Sequence, residues 1–362
     1  MNDTIKSYKC PCCGAPLVFS AEVQKLNCES CGAELDIEAL KQLDEAEQGG
    51  VNSSKYDWNK YEPRDFGGEA VDFSSYSCPS CGAEVTGDDS MGSTVCPYCG
   101  NSTIVKEQFA GGLKPDYIIP FSVDKKKAMA AFEAACKKAP FLPNEFKDKK
   151  RIQEMTGVYV PFWMFDCDCD AEIWYNAHRV HMWEDSRYRY TKTDFYKVVR
   201  GGSLGFANIP VDGSIKADDA YMEAVEPFDY SAAVDFDTAY LSGFLADRYD
   251  VSAEESVDRA NERVKNSTER AFRDTVNGYA SVITERSNVS FSNGKIRYAL
   301  LPVWMLNIKY KGENYKYAIN GQTGKTVGIY PVDKGKQWRF FGIAYSVGLG
   351  VCFAVAKLFG FI

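Results

Sequence analysis

Eight cysteines in four pairs carry the clearest chemistry in this 362-residue chain. Cys10, Cys13, Cys28 and Cys31 form two C-x-x-C-G steps with 14 residues between them. Cys78, Cys81, Cys96 and Cys99 repeat the pattern with the same gap. Paired C-x-x-C steps at this distance are zinc-site spacing. One C-x-x-C turn puts two thiolates on one side of an ion, and the glycine after it admits a positive φ. Four thiolates complete the tetrahedron of a structural site and leave no place for a catalytic water. The expectation is two four-cysteine zinc ribbons, each holding one structural Zn2+. Ribbons this short bury too little to fold alone, so metal holds them together. Disulfides or free thiols are the other reading, and the twofold repeat of paired knuckles argues against it. Cys12 is an alternative ligand inside the first knuckle, although C-x-x-C geometry favours Cys10 and Cys13.

Other candidate chemistry is weaker. Asp166, Cys167, Asp168, Cys169 and Asp170 alternate, which on a strand puts three carboxylates on one face and two thiols on the other. Such a row can hold a hard cation, but a wet sheet face with Cys167 and Cys169 as small core residues is the preferred reading. His178 and His181 are the only histidines, and a gap of three separates them on a strand. Gly321-Gln322-Thr323-Gly324-Lys325-Thr326 lacks the first glycine of a phosphate loop, because Ile319 stands there. It reads as a hairpin turn. No catalytic constellation emerges.

The elements that must position these groups follow from the pattern. Ribbon 1 spans 5–40, an acidic flexible linker 41–75, and ribbon 2 76–106. Trp58 and Tyr61 are odd apolar residues in that linker, read either as docking on a neighbour or as stray aromatics. An α+β lobe over 115–227 begins with a helix at 124–138, apolar at Ala128, Phe132 and Ala135. A second lobe over 228–333 has a long helix at 252–274, capped by Asp250 or Ser252. Val160-Pro161-Phe162-Trp163-Met164-Phe165-Asp166 matches Leu301-Pro302-Val303-Trp304-Met305-Leu306-Asn307. This predicts two similar lobes, each a helix on an antiparallel sheet.

From Phe340 to Ile362 the only charge is Lys357, and Lys334, Lys336, Trp338 and Arg339 stand before it. That pattern predicts a transmembrane helix over 338–362 with the bulk of the chain on the cytoplasmic side. Gly342, Ser346, Gly350 and Ala354 recur every fourth residue, a spacing suited to self-association. The start of the chain reads as no signal peptide. Net charge is −8 and the ribbons hold more acid than base, so phosphate binding is disfavoured and protein docking preferred.

Taken together, the two ribbons, the acidic linker, Lys114 to Phe121 (KPDYIIPF), Gly157 to Trp163 (GVYVPFW), Asn320 to Lys325 (NGQTGK) and the apolar C-terminus resemble one bacterial family. Its members are labelled transcription-factor-IIB-type zinc-ribbon proteins, often under the name of the primosomal replication-restart helicase. The family is also similar to partners of flotillin- and prohibitin-like scaffold proteins in envelope stress. At Cys167 and Cys169 family members tend to be small and apolar or acidic, so these take no ligand role. The resemblance implies a non-enzymatic, zinc-binding, membrane-anchored adaptor. A nucleic-acid-binding protein of replication restart or transcription is the alternative, and a thiol or zinc sensor using Cys12 is a third.

Overall fold

The computed structural model describes residues 9–11, 15–21, 23–40, 56–64, 74–87, 95–101, 105–108 and 113–358. Most of the segment read as an acidic linker lies outside these residues. The strands are β1 (Val18–Ser20), β2 (Lys25–Asn27), β3 (Glu34–Leu35), β4 (Tyr56–Trp58), β5 (Ser74–Ser77), β6 (Glu84–Gly87), β7 (Val105–Gln108) and β8 (Tyr117–Ile118). They continue as β9 (Thr156–Glu184), β10 (Arg189–Asp212), β11 (Val234–Asp235), β12 (Leu245–Asp247), β13 (Ser281–Tyr310), β14 (Glu313–Asn320) and β15 (Thr326–Gly328). The α-helices are α1 (Lys125–Lys137), α2 (Lys149–Ile152), α3 (Asp219–Val225), α4 (Ala253–Asp274) and α5 (Lys334–Leu358). The chain divides into two compact units, one of 1–60, 165–209 and 257–296, the other of 61–164, 210–256 and 297–362. These interleave in sequence, whereas the pattern suggested lobes laid end to end.

The second unit shows why the V/L-P-x-W motif recurs. Trp163 in β9 donates its indole N–H to the Val251 carbonyl at 2.8 Å, and Trp304 in β13 donates to the Val123 carbonyl at 2.8 Å. Each acceptor stands just ahead of a helix cap. Asp124 Oδ1 accepts the Lys127 amide to cap α1. Ser252 and Glu255 exchange bonds in a capping box at α4, while Asp250 turns to the Ile215 amide. The parallel goes further. Gly213 donates to Pro161 and accepts from Asp250 and Val251; Gly321 donates to Pro302 and accepts from Ser122 and Val123. β8 runs parallel to β13, and β12 parallel to β9. β8–α1–β9–β10 and β12–α4–β13–β14 are thus two copies of one plan that have exchanged their first strands. Burial of Val158, Val160, Phe162, Ala299, Leu301 and Val303 closes the core between them.

In the first unit, Cys167, Cys169, Ile173 and Tyr175 of β9 pack with Val264 and Phe272 of α4 and Val289 and Phe291 of β13. Trp58 joins this core. β4 pairs with β13, the Trp58 indole donates to Asn261 Oδ1 at 2.8 Å, and its ring meets Phe165 edge-on. In the second unit Tyr61 is 8% exposed and stands edge-on to Trp163.

The C-terminus corrects the sequence expectation. Among the described residues no helix is long and apolar enough to cross a membrane. The transmembrane anchor over 338–362, and the single-pass localisation built on it, are therefore not upheld. In α5 the apolar run is diluted by Gly342, Tyr345, Ser346, Gly348 and Gly350 and interrupted by Lys357. Its first turns are held by protein. Lys336 Nζ donates to the Leu142 carbonyl at 2.6 Å and to Asn144 Oδ1 at 2.7 Å, and Phe340 meets Phe141 edge-on. Residues 359–362 and the Ala354 side chain lie outside the described set.

Candidate metal centres

All three fully described knuckles share one backbone design. In each, the first cysteine donates its amide to the carbonyl five residues on, and accepts from the glycine four residues on. Cys28 bonds to Ala33 and Gly32, Cys78 to Ala83 and Gly82, and Cys96 to Asn101 and Gly100, at 2.7–2.9 Å. Gly32, Gly82 and Gly100 have φ of +73°, +69° and +69°, the left-handed turn that glycine adopts without strain. Cys10 makes the first of these bonds, to Ala15 at 2.7 Å. Cys12, Cys13 and Gly14 lie outside the described residues.

This design converges the sulfurs. In ribbon 2 the Sγ atoms of Cys78, Cys81, Cys96 and Cys99 all lie within 4.8 Å of one another. Cys78 and Cys99 are 3.6 Å apart, and Cys81 and Cys96 3.7 Å. In ribbon 1 Cys10, Cys28 and Cys31 converge likewise, with Cys10 and Cys31 at 3.6 Å. A tetrahedral ion with metal–sulfur bonds of about 2.3 Å needs sulfurs about 3.8 Å apart. Both groups therefore fit one metal ion each.

The surroundings of the two groups differ. Ribbon 2 belongs to the second unit's core: Tyr76, Cys78, Ala83, Val85, Cys96 and Tyr98 are buried in one cluster with Val158, Leu245 and Met305. β6 pairs with β12, and Asn307 and Asn314 donate to the Pro97 and Cys99 carbonyls. Among the described residues ribbon 1 has the three short strands β1–β3 as its sheet. Among its described residues only Cys10, Cys28 and Leu40 are buried, while Cys31 is exposed. Val18, Phe19 and Val23 are 51%, 46% and 46% exposed.

Burial pushes the thiols of Cys81 and Cys96 up. At Cys78 burial also acts upward, but hydrogen bonds from the amides of Cys81 and Ser80 and from the thiols of Cys99 and Cys81 together bring the thiol to about 7. Thiols raised by burial, as Cys81 and Cys96 are, ionise together only beside a compensating cation.

Tyr98, between the two cysteines of the last knuckle, anchors ribbon 2. Its hydroxyl donates to Asp247 Oδ2 in β12, which also accepts from Ser214 Oγ at 2.7 Å. All three are buried. Burial raises Asp247 to about 7 and holds the Tyr98 hydroxyl neutral. Sequence reasoning missed this trio, because 149 residues separate Tyr98 from Asp247.

The weaker candidates find structural partners. Asp166 accepts from the Asn208 amide, Asp168 from Asn293 Nδ2 and Asp170 from Ser203 Oγ, at 2.5–2.8 Å. The aspartate row thus has three separate partners. Cys167 and Cys169 face the core, with Cys169 Sγ 3.3 Å from Thr268 Oγ1. His181 lies 3.6 Å from Asp194 on an exposed ribbon, and His178 stands near Phe195. Asn320 organises the Gly321–Thr326 turn: its Oδ1 accepts the Gln322 and Thr323 amides and its Nδ2 donates to Val225 and Pro227.

The chain is 36% identical over 341 residues to the uncharacterized protein YdjG of Bacillus subtilis (strain 168), covering 94% of both chains. No protein-family model matches it, and no solved structure does.

Proposed function

The chain belongs to one family with YdjG of Bacillus subtilis, and from that premise we propose that it is a zinc-stabilised, non-enzymatic adaptor whose ribbons divide the work. Ribbon 2 is a structural brace, and ribbon 1 presents a docking face to a protein partner. The observation that carries this reading is the contrast in burial. One thiol group is built into a core, and the other stands on a small sheet that exposes Val18, Phe19 and Val23. Zinc is the ion because thiolate ligands exclude hard cations and a closed tetrahedral set suits a structural ion. A site with four sulfurs has no open position for substrate. The partner is a protein because Glu29, Glu34, Asp36 and Glu38 outnumber Lys9 and Lys25 on the described part of ribbon 1, which repels phosphate. A flotillin- or prohibitin-like scaffold protein is the partner that the family resemblance points to.

The test uses the full chain, tagged, beside a Phe19→Asp variant. Metal analysis is expected to find two zinc ions per chain in both. One protein partner is expected to co-purify with the wild type and to be lost from the variant. Nucleic acid released by salt, or a partner that Phe19→Asp retains, overturns the docking assignment.

A further inference from the structure

We propose that ribbon 1 is an oxidation-sensitive site, at which a peroxide-class oxidant joins Cys31 to Cys10 and releases the metal while ribbon 2 keeps its own. This rests on the zinc reading above and adds a substrate class and a regulatory consequence to it.

Three observations support it. The first is access. Cys31 is exposed, whereas in ribbon 2 two thiols are buried and the other two half-buried. A two-electron oxidant must reach a sulfur along its line of attack, so access governs which thiolate reacts first. The second is proximity. Cys10 Sγ lies 3.6 Å from Cys31 Sγ, close enough to resolve an oxidised neighbour. The third is independence. β1–β3 form a sheet of their own, while the ribbon 2 strand β6 is hydrogen-bonded to β12 inside a large core. Local opening costs little where few apolar groups are buried, so ribbon 1 exposes its sulfurs more often.

The chemistry balances with hydrogen peroxide as the oxidant. The Cys31 thiolate attacks one peroxide oxygen, the O–O bond breaks, and hydroxide leaves as Cys31 becomes a sulfenic acid. The Cys10 thiolate then attacks the Cys31 sulfur, an S–S bond forms, and a second hydroxide leaves. Two protons convert both hydroxides to water, so two thiolates and one peroxide become one disulfide and two waters. A site stripped of two thiolates no longer holds its ion. Ribbon 1 then loses the turn geometry that displays Val18, Phe19 and Val23, and docking is switched off.

The experiment adds hydrogen peroxide to the zinc-loaded full chain and follows released zinc with a chromogenic chelator. Mass spectrometry after thiol alkylation then locates the disulfide. The expected trace has two phases, one ion leaving at least about tenfold faster than the other, with Cys10 and Cys31 joined at the end of the fast phase. The Cys31→Ser variant is expected to carry about one ion and to show only the slow phase. Equal release rates, or a first disulfide within ribbon 2, overturn the proposal and leave the zinc reading intact. A freshly purified chain with no zinc overturns both.

Discussion

Asp247 is the residue whose environment most exceeds its sequence signal. A carboxyl sealed among hydroxyls is stable when protonated and costly when ionised. Its pKa is about 7 in the folded chain, above the ordinary carboxylate value of about 4. The folded state therefore holds a proton that the unfolded chain has given up. This contribution to stability is complete below about pH 4 and drains away up to about pH 7, at roughly 1.4 kcal/mol per pH unit at the steepest. Asp247→Asn keeps an acceptor for Tyr98 and Ser214 and carries no charge, so its stability profile is expected to lack this decline. Subtracting the two pH–denaturation curves isolates the effect from thiol protonation. Asp247→Ala instead orphans two buried hydroxyls and is expected to cost about 2–3 kcal/mol, read from urea midpoints. The knuckle glycines make a second comparison. An added Cβ at Gly100 comes within 3.1 Å of Asn307, while at Gly32 it meets nothing within 4 Å. Both alanine variants carry the positive-φ penalty of about 1 kcal/mol. Gly100→Ala adds a steric cost and is expected to destabilise more in the same measurement.

At the scale of elements, the two ribbons should fail differently. Cys78→Ser with Cys81→Ser removes two ligands from a group that shares a core with β9, β12 and β13, so calorimetry is expected to show the second unit's main transition lowered or abolished. Cys28→Ser with Cys31→Ser should leave that transition in place. Trp58 carries a further prediction. Truncating a large aromatic side chain that contacts Phe165 and Phe291 and donates to Asn261 is expected to cost roughly 3 kcal/mol, measured by denaturant unfolding. The knuckles are legible because their spacing is local: each fully described C-x-x-C-G step closes its own turn through the first cysteine and the glycine. The cap of α4 was legible to within two residues, since Ser252 and Glu255 stand three apart. Nothing local places Trp58, because its strand partner lies more than two hundred residues away. The C-terminal helix departs from its sequence pattern. Its run of uncharged residues signals a membrane span, but Gly342, Tyr345, Ser346, Gly348 and Gly350 dilute it, and among the described residues no helix is long and apolar enough to cross a membrane.

For the whole molecule, the short V/L-P-x-W repeat disclosed a duplication but not its wiring. Pattern shows which segments are alike. It does not show that β8 pairs with β13 and β12 with β9 instead of each staying with its own copy. That exchange places the two halves of the second unit in mutual dependence. Severing the backbone between α3 and β11 would leave each fragment with a strand, a helix and a Trp whose partners sit on the other. Neither fragment should fold alone, yet the two coexpressed should reassemble, because every lost contact is restored by association and only the tether is missing. The duplication therefore makes this chain a ready-made split protein, whose complementation would report on the same contacts that hold the intact fold.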